Sequence, residues 1–193
     1  VISGSYTDKL TYSVGASHLN VANGVDGNDS VRNTSTQGRL QLKLGPSSSV
    51  SFRLYTADAK LDLNESPEVM GASSSGVVEA LPNVNFRPAA DDPDSYRESS
   101  FRSFLVSYDH RVHENIGYTF RYHGLITKRS FLDGPAGVTA FEPATQFRSE
   151  YDAAIHTLSA RTDFLLGRHL VHAGYEFERE GFVNRSFPDD LKA

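Results

Sequence analysis

Apolar and polar residues alternate along most of this chain with a period of two. That is the pattern of a strand with one face against an apolar partner and the other face wetted. It predicts about seven strands, over residues 10–20, 34–44, 50–59, 101–110, 116–127, 154–166 and 170–182. The fifth is the cleanest. Ile116, Tyr118, Phe120, Tyr122 and Ile126 face one way, and Gly117, Thr119, Arg121, His123 and Thr127 the other. The second sets Leu40, Leu42 and Leu44 against Arg39, Gln41 and Lys43; the seventh sets Val171, Ala173, Tyr175 and Phe177 against His172, Gly174, Glu176 and Glu178. Helical periodicity is confined to a single turn at most, over residues 75–81.

The connections between these strands alternate in length. Residues 45–49, 111–115 and 167–169 are tight turns rich in Gly, Pro, Ser and Asn,. Residues 21–33, 62–100 and 128–152 are long and polar. In an antiparallel meander, alternate connections lie at the same end. All the short turns therefore gather at one end and all the long loops at the other. Loops beyond ~15 residues are uncommon in compact soluble domains, whereas outer-membrane barrels combine short periplasmic turns with long external loops.

Three features favour a barrel wall over a sandwich. The apolar positions of the strands carry no charge, as a lipid-facing surface requires,. The strands exceed the ~5–6 residues usual in globular sheets and match the ~9–11 of a tilted membrane strand. Tyr12, Phe52, Tyr108, Tyr118 and Phe164 gather towards the short-turn end of the apolar face, where an interfacial aromatic girdle would sit,. The fold expected is therefore all-β: an antiparallel up-and-down meander, a segment of a large transmembrane β-barrel, with residues 1–193 as one partial barrel domain. An odd strand count leaves edges that a bilayer does not tolerate, so a larger wall is expected. The first residue is Val1, no secretory signal precedes the strands, and residues 188–193 read as an interrupted loop, so a piece of a longer protein is expected,.

Composition narrows the chemistry. The chain has no Cys, no Trp and one Met. Thiolate catalysis, disulfide frameworks and Cys-ligated zinc are thereby excluded. A net charge of -5 argues against a nucleic-acid partner,. No run approaches the ~20 apolar residues of a membrane helix, so any membrane role falls to strands. The polar face carries Arg39, Lys43, Arg53, Asp109, Arg121, Arg161, Asp163, Glu176 and Glu178, mixed signs that suggest cross-strand pairs on a wetted wall,.

Catalytic signatures are missing. There is no Gly-x-Ser-x-Gly elbow and no phosphate-binding loop,. The pairs His110 with His113 and His169 with His172 sit at turns, where solvation accounts for them, and no enzymatic activity is expected. The oxygens of Asp26, Asn28 and Asp29 in a Gly-rich loop are candidate Ca²⁺ ligands, although Asn, Asp and Gly there also simply make turns,. The run Asp91-Asp92-Pro93-Asp94 reads as a charged loop, a weaker calcium candidate. A ligand site, if present, belongs to the long loops, where Asn64, Asn83, Phe86, Arg87, Tyr96, Phe131, Phe141 and Phe147 supply polar and aromatic groups,.

Several segments resemble the barrel of TonB-dependent receptors, in particular the cobalamin (vitamin B12) receptor-like ones. They are Ser17-His18-Leu19-Asn20-Val21 with Gly24-Val25-Asp26-Gly27-Asn28, and Arg53-Leu54-Tyr55-Thr56-Ala57-Asp58 leading to Leu63-Asn64-Glu65-Ser66-Pro67. Further ones are Asp91-Asp92-Pro93-Asp94, Gly134-Pro135-Ala136-Gly137 and Ala173-Gly174-Tyr175-Glu176-Phe177-Glu178-Arg179-Glu180. The resemblance implies a 22-stranded barrel with an N-terminal plug, in the bacterial outer membrane. It also implies import of a scarce ligand such as cobalamin or a siderophore, energised by the TonB complex through a short box on the plug. Plug and box have no counterpart in these residues. Two other readings stand beside it: a passive porin-type barrel, and a soluble all-β ligand-binding module. A sandwich would bring Leu42, Phe52, Phe120 and Tyr175 into one core, and a barrel wall would leave them in one exposed apolar band.

Overall fold

The computed structural model describes residues 1–22, 30–64, 78–81, 84–86, 91–134 and 145–190. Eight strands form one antiparallel sheet in the order β1-β2-β3-β4-β7-β8-β9-β10. They are β1 (Ile2–Tyr6), β2 (Leu10–Val21), β3 (Val31–Lys43), β4 (Ser48–Asn64), β7 (Asp91–His113), β8 (Ile116–Asp133), β9 (Thr145–Leu166) and β10 (His169–Asp190). A two-stranded hairpin, β5 (Val78–Leu81) with β6 (Val84–Phe86), lies within the connection from β4 to β7. Every strand of the large sheet pairs with its neighbour in sequence, apart from that hairpin. The sheet is not closed: β1 and β10 are its two edges.

Three expectations are corrected. The strand count is eight, because Ile2–Tyr6 pairs with β2 in the register Tyr6↔Leu10 to Ile2↔Val14. The stretch is too short for period two to stand out. The long connections are shorter than expected, because the strands run on past their predicted ends; β7 begins at Asp91 and β9 at Thr145. This places the run from Asp91 to Asp94 in a strand rather than a loop, and residues 188–190 in β10 rather than in an interrupted loop. The candidate helical turn at 75–81 gives way to strand at Val78–Leu81.

Alternation of short and long connections is present throughout. The short ones are residues 7–9, 44–47, 114–115 and 167–168, all at one end of the sheet. The turn between β9 and β10 has two residues, since Leu166 pairs directly with His169. Gly167 takes φ +61° there and Arg168 does not have a positive φ. This is the type II′ pattern, whose twist matches the flanking strands and which favours Gly at the first position.

Cross-strand register assigns each residue to a face. One face carries rows such as Tyr12↔Leu40↔Phe52↔Val106↔Tyr122↔Leu158↔Phe177. The next row towards the turns is Leu10↔Leu42↔Val50↔Tyr108↔Phe120↔Ala160↔Tyr175. Leu42, Phe52, Phe120 and Tyr175 thus share one face, and they are 39%, 38%, 49% and 71% exposed. They do not meet in a core. No side chain among the described residues is fully buried, as follows from a single layer with nothing packed on either side. Neighbouring rings cluster in this band near the turns, with centroids 6.2 Å apart for Tyr108 and Tyr118 and 5.4 Å for Tyr118 and Phe120.

In the middle of the sheet the opposite face is hollowed, and this face is called concave. A single hollow there takes lining residues from seven strands, from Ser13 on β2 to Glu176 on β10. Strands lie ~4.8 Å apart, so a flat sheet would hold those two residues about 29 Å apart. Sharing one hollow requires the sheet to bend towards that face. The small residues Ser107 and Thr119, 5% and 7% exposed, sit in the middle of the bend. At the long-loop end the convex face is hollowed too, with lining residues from five strands, from Arg32 on β3 to Asp152 on β9.

Candidate functional site

Apolar residues do not stay on one face for the whole length of a strand. In the half near the short turns they are convex, as in the rows above. Towards the long loops they move to the concave face. On β9, Leu158, Ala160 and Phe164 are convex, whereas Phe147, Tyr151, Ala153 and Ile155 are concave. On β10, Tyr175 and Phe177 are convex and Phe182 is concave. On β7, Phe104 and Val106 are convex and Phe101 is concave. Convex positions in the loop half become charged instead. The row Arg32↔Lys60↔Glu98↔Ser130↔Glu150↔Arg185 is an example. Ion pairs cross this belt from Lys60 to Glu98 (3.8 Å), Arg102 to Asp58 (3.8 Å) and Arg185 to Glu150 and Asp152 (3.7 Å each).

The concave apolar patch at the loop end is the candidate ligand site. It forms a hollow lined by Arg97, Leu125, Arg129, Phe131, Tyr151 and Ile155. Phe131 on β8 and Phe147 on β9 pack with ring centroids 5.8 Å apart. Tyr151 stacks on Phe182 of β10 at 6.4 Å and 27°. Tyr55 and Phe101 meet edge to face at 5.9 Å. Flat rings beside two guanidinium groups suit a ligand with extended ring surfaces and an anionic or carbonyl-rich edge.

Of the expected ligand residues, Phe131 and Phe147 come together in this patch. They stand on strands, not in loops. Tyr96 is on β7 but on the convex face, in register with Asp62 and Leu132. There the Lys60 ammonium sits 4.0 Å above its ring. Asn64 ends β4 opposite Asp91, and Phe86 belongs to β6 opposite Val78. Asn83, Arg87 and Phe141 lie outside the described residues, as do the calcium candidates Asp26, Asn28 and Asp29. No group of three or more metal-ligating side chains occurs among the described residues. Tyr151, Phe182, Arg97 and Arg129 escaped the sequence reading. The available signal was a change of phase: in β9 the apolar residues switch from even to odd positions between Leu158 and Ile155.

Nearer the short turns the concave face is polar and carries both signs of charge. Asp163 accepts hydrogen bonds from Arg161 and His172, at 3.1 and 2.6 Å. Asp109 accepts from Ser107 (3.0 Å) and Thr119 (2.7 Å), and Glu178 from Thr157 (3.0 Å). Arg39 donates to Gln41 at 3.1 Å. Among the described residues, Arg39, Arg53 and Arg121 form no ion pair.

No protein-family model, curated protein or solved structure matches the chain.

Proposed function

We propose that the chain is part of the wall of an outer-membrane β-barrel receptor. In this reading the short turns face the periplasm, and the concave loop-end patch receives a scarce ligand such as cobalamin or a siderophore. The observation that carries it is the crossing of apolar residues from the convex to the concave face. Strands β7, β9 and β10 have 23, 22 and 22 residues. At ~3.3 Å per residue that is about 70 Å, well beyond the ~9–11 residues a tilted strand needs to span a bilayer. The turn half then lies in lipid and needs an apolar outside. The loop half stands above the membrane, needs a charged outside and encloses its apolar residues. On β8 the convex band from Ile116 to Ile126 covers ten steps. That is about 33 Å along the strand, or about 25 Å at a ~40° tilt, the height expected of a lipid-facing band. It is shorter on other strands: Thr56 on β4 and Arg102 on β7 stand in the row of Ile126, and Arg179 on β10 stands in the row of Gly124.

Energy coupling through TonB would act on a plug supplied by another part of the parent protein. The open concave face leaves room for one.

The chain contains no Trp, so single-Trp probes are clean. Phe120→Trp on the convex face and Leu105→Trp on the concave face are to be compared in bilayers of brominated lipid. Strong quenching at position 120 with weak quenching at 105 supports the reading. Equal quenching, or a folded monomer in buffer without detergent, sinks it.

A further inference from the structure

We infer that the concave hollow at the middle of the sheet is a binding site for a small oxyanion, a phosphate or carboxylate group. The site stands apart from the aromatic patch nearer the loops. Its lining includes Arg39, Arg53, Arg121 and His123, with Glu176 as its single carboxylate, and its volume is about 730 Å³. Arg39 and Arg53 are direct cross-strand partners on the same face. Side chains so placed have Cβ atoms ~4.5–5.5 Å apart, and like charges there repel. Ordinary sheets avoid the arrangement or place a carboxylate between the two. Here neither Arg39, Arg53 nor Arg121 has a carboxylate partner among the described residues. Three acids of this face are engaged elsewhere: Asp109 by Ser107 and Thr119, Asp163 by Arg161 and His172, and Glu178 by Thr157.

An anion with two or three oxygens removes the repulsion. Guanidinium groups present flat forks of N–H donors that match carboxylate and phosphate edges. Hydroxyl donors stand around the same hollow, on Ser13, Tyr55 and Ser159. His123 is held by a 3.1 Å contact between Nε2 and the Ser103 hydroxyl. On the convex face Arg102 and Arg185 have acidic partners. If the concave face is a lumen, as proposed above, the site sits on the path of anything passing along the wall. Anion binding itself does not depend on that reading.

The test is a titration of the full chain with inorganic phosphate, in detergent micelles or in buffer, whichever keeps it folded. Chloride at matched ionic strength is the control, and arginine Nε–H resonances are followed by NMR. Saturable shifts at Arg39, Arg53 and Arg121 are expected. Arg53→Gln should weaken binding about tenfold or more, the worth of a charge-assisted bidentate contact. Arg102→Gln, on the other face, should leave it within about twofold. Arg53→Gln relieves a like-charge contact, so it should fold at least as well as the parent chain. Shifts that fail to saturate, that chloride reproduces, or that survive Arg53→Gln overturn the site. Lipid quenching at position 120 reads the opposite face, so failure of the membrane reading and failure of the anion site are seen separately.

Discussion

Phe104 on β7 and Gly124 on β8 are register partners, and the Phe104 ring occupies the space where a side chain at Gly124 would stand. The ring also meets Tyr122 edge to face at 5.6 Å. A glycine inside a strand normally weakens it. Here the ring of the neighbouring strand covers the bare backbone and keeps the convex band continuous. Gly124→Val must push Phe104 aside and should destabilise the chain by about 1–3 kcal/mol, the usual cost of overpacking. The urea midpoint of the folded chain reads this, and the double variant Gly124→Val with Phe104→Ala should show a smaller loss for the added valine.

The β9–β10 turn makes a separate test of local backbone. Gly167 has φ +61° with no neighbouring atom near the position of an added Cβ. Any cost of substitution there is conformational and not a clash. Gly167→Ala should cost about 1–2 kcal/mol. D-alanine at position 167, introduced by semisynthesis, should cost little, because a D residue adopts a positive φ without strain. A loss of equal size for both substitutions would count against the backbone explanation.

A charge scan across the two faces examines the membrane reading. Phe120→Arg places a cation in the convex band and should cost about 2–4 kcal/mol in a bilayer. Ser130→Arg lies on the same face but in the charged belt, between Glu98 and Glu150, and should change stability by no more than about 0.5 kcal/mol. Unfolding from lipid vesicles measures both. Similar costs at the two positions would remove the boundary between band and belt.

Ligand variants separate the concave patch from the residues that share only its height. If the patch receives cobalamin as proposed, Phe131→Ala and Tyr151→Ala each remove a ring from the loop-end hollow and should weaken that binding about tenfold, ~1.4 kcal/mol. Tyr96→Ala should leave it unchanged, because Tyr96 stands on the other face. Titration calorimetry with cobalamin checks this; an effect at Tyr96 equal to that at Tyr151 would move the site.

Meander topology and the position of every short turn after β2 were legible from period-two alternation and turn residues. The far ends of the strands were not. Alternation was followed only while apolar residues kept one phase, so β9 was expected to start near residue 154. In fact the strand continues to Thr145 with the phase reversed, Phe147, Tyr151 and Ala153 taking the opposite face from Leu158. A strand crossing from one surrounding medium to another has a physical reason to do this, and a rule that assumes one partner per face cuts such a strand short. The same cut hid the candidate patch: Phe131 was picked out as a loop residue, and Tyr151, which stands near it, was passed over. The opposed pair Arg39 and Arg53 was present in the sequence, but only the register makes them neighbours.

Strand β10 leaves the outer edge of its backbone unpaired along its whole length, while β1 covers only part of β2. In hydrocarbon each unsatisfied amide or carbonyl costs several kcal/mol; in water the same edge is a template for any extended chain. Order of assembly therefore matters. On the membrane reading proposed above, a neighbouring strand has to zip onto β10 before or during entry into lipid, and a sheet left waiting without one would grow by adding copies of itself.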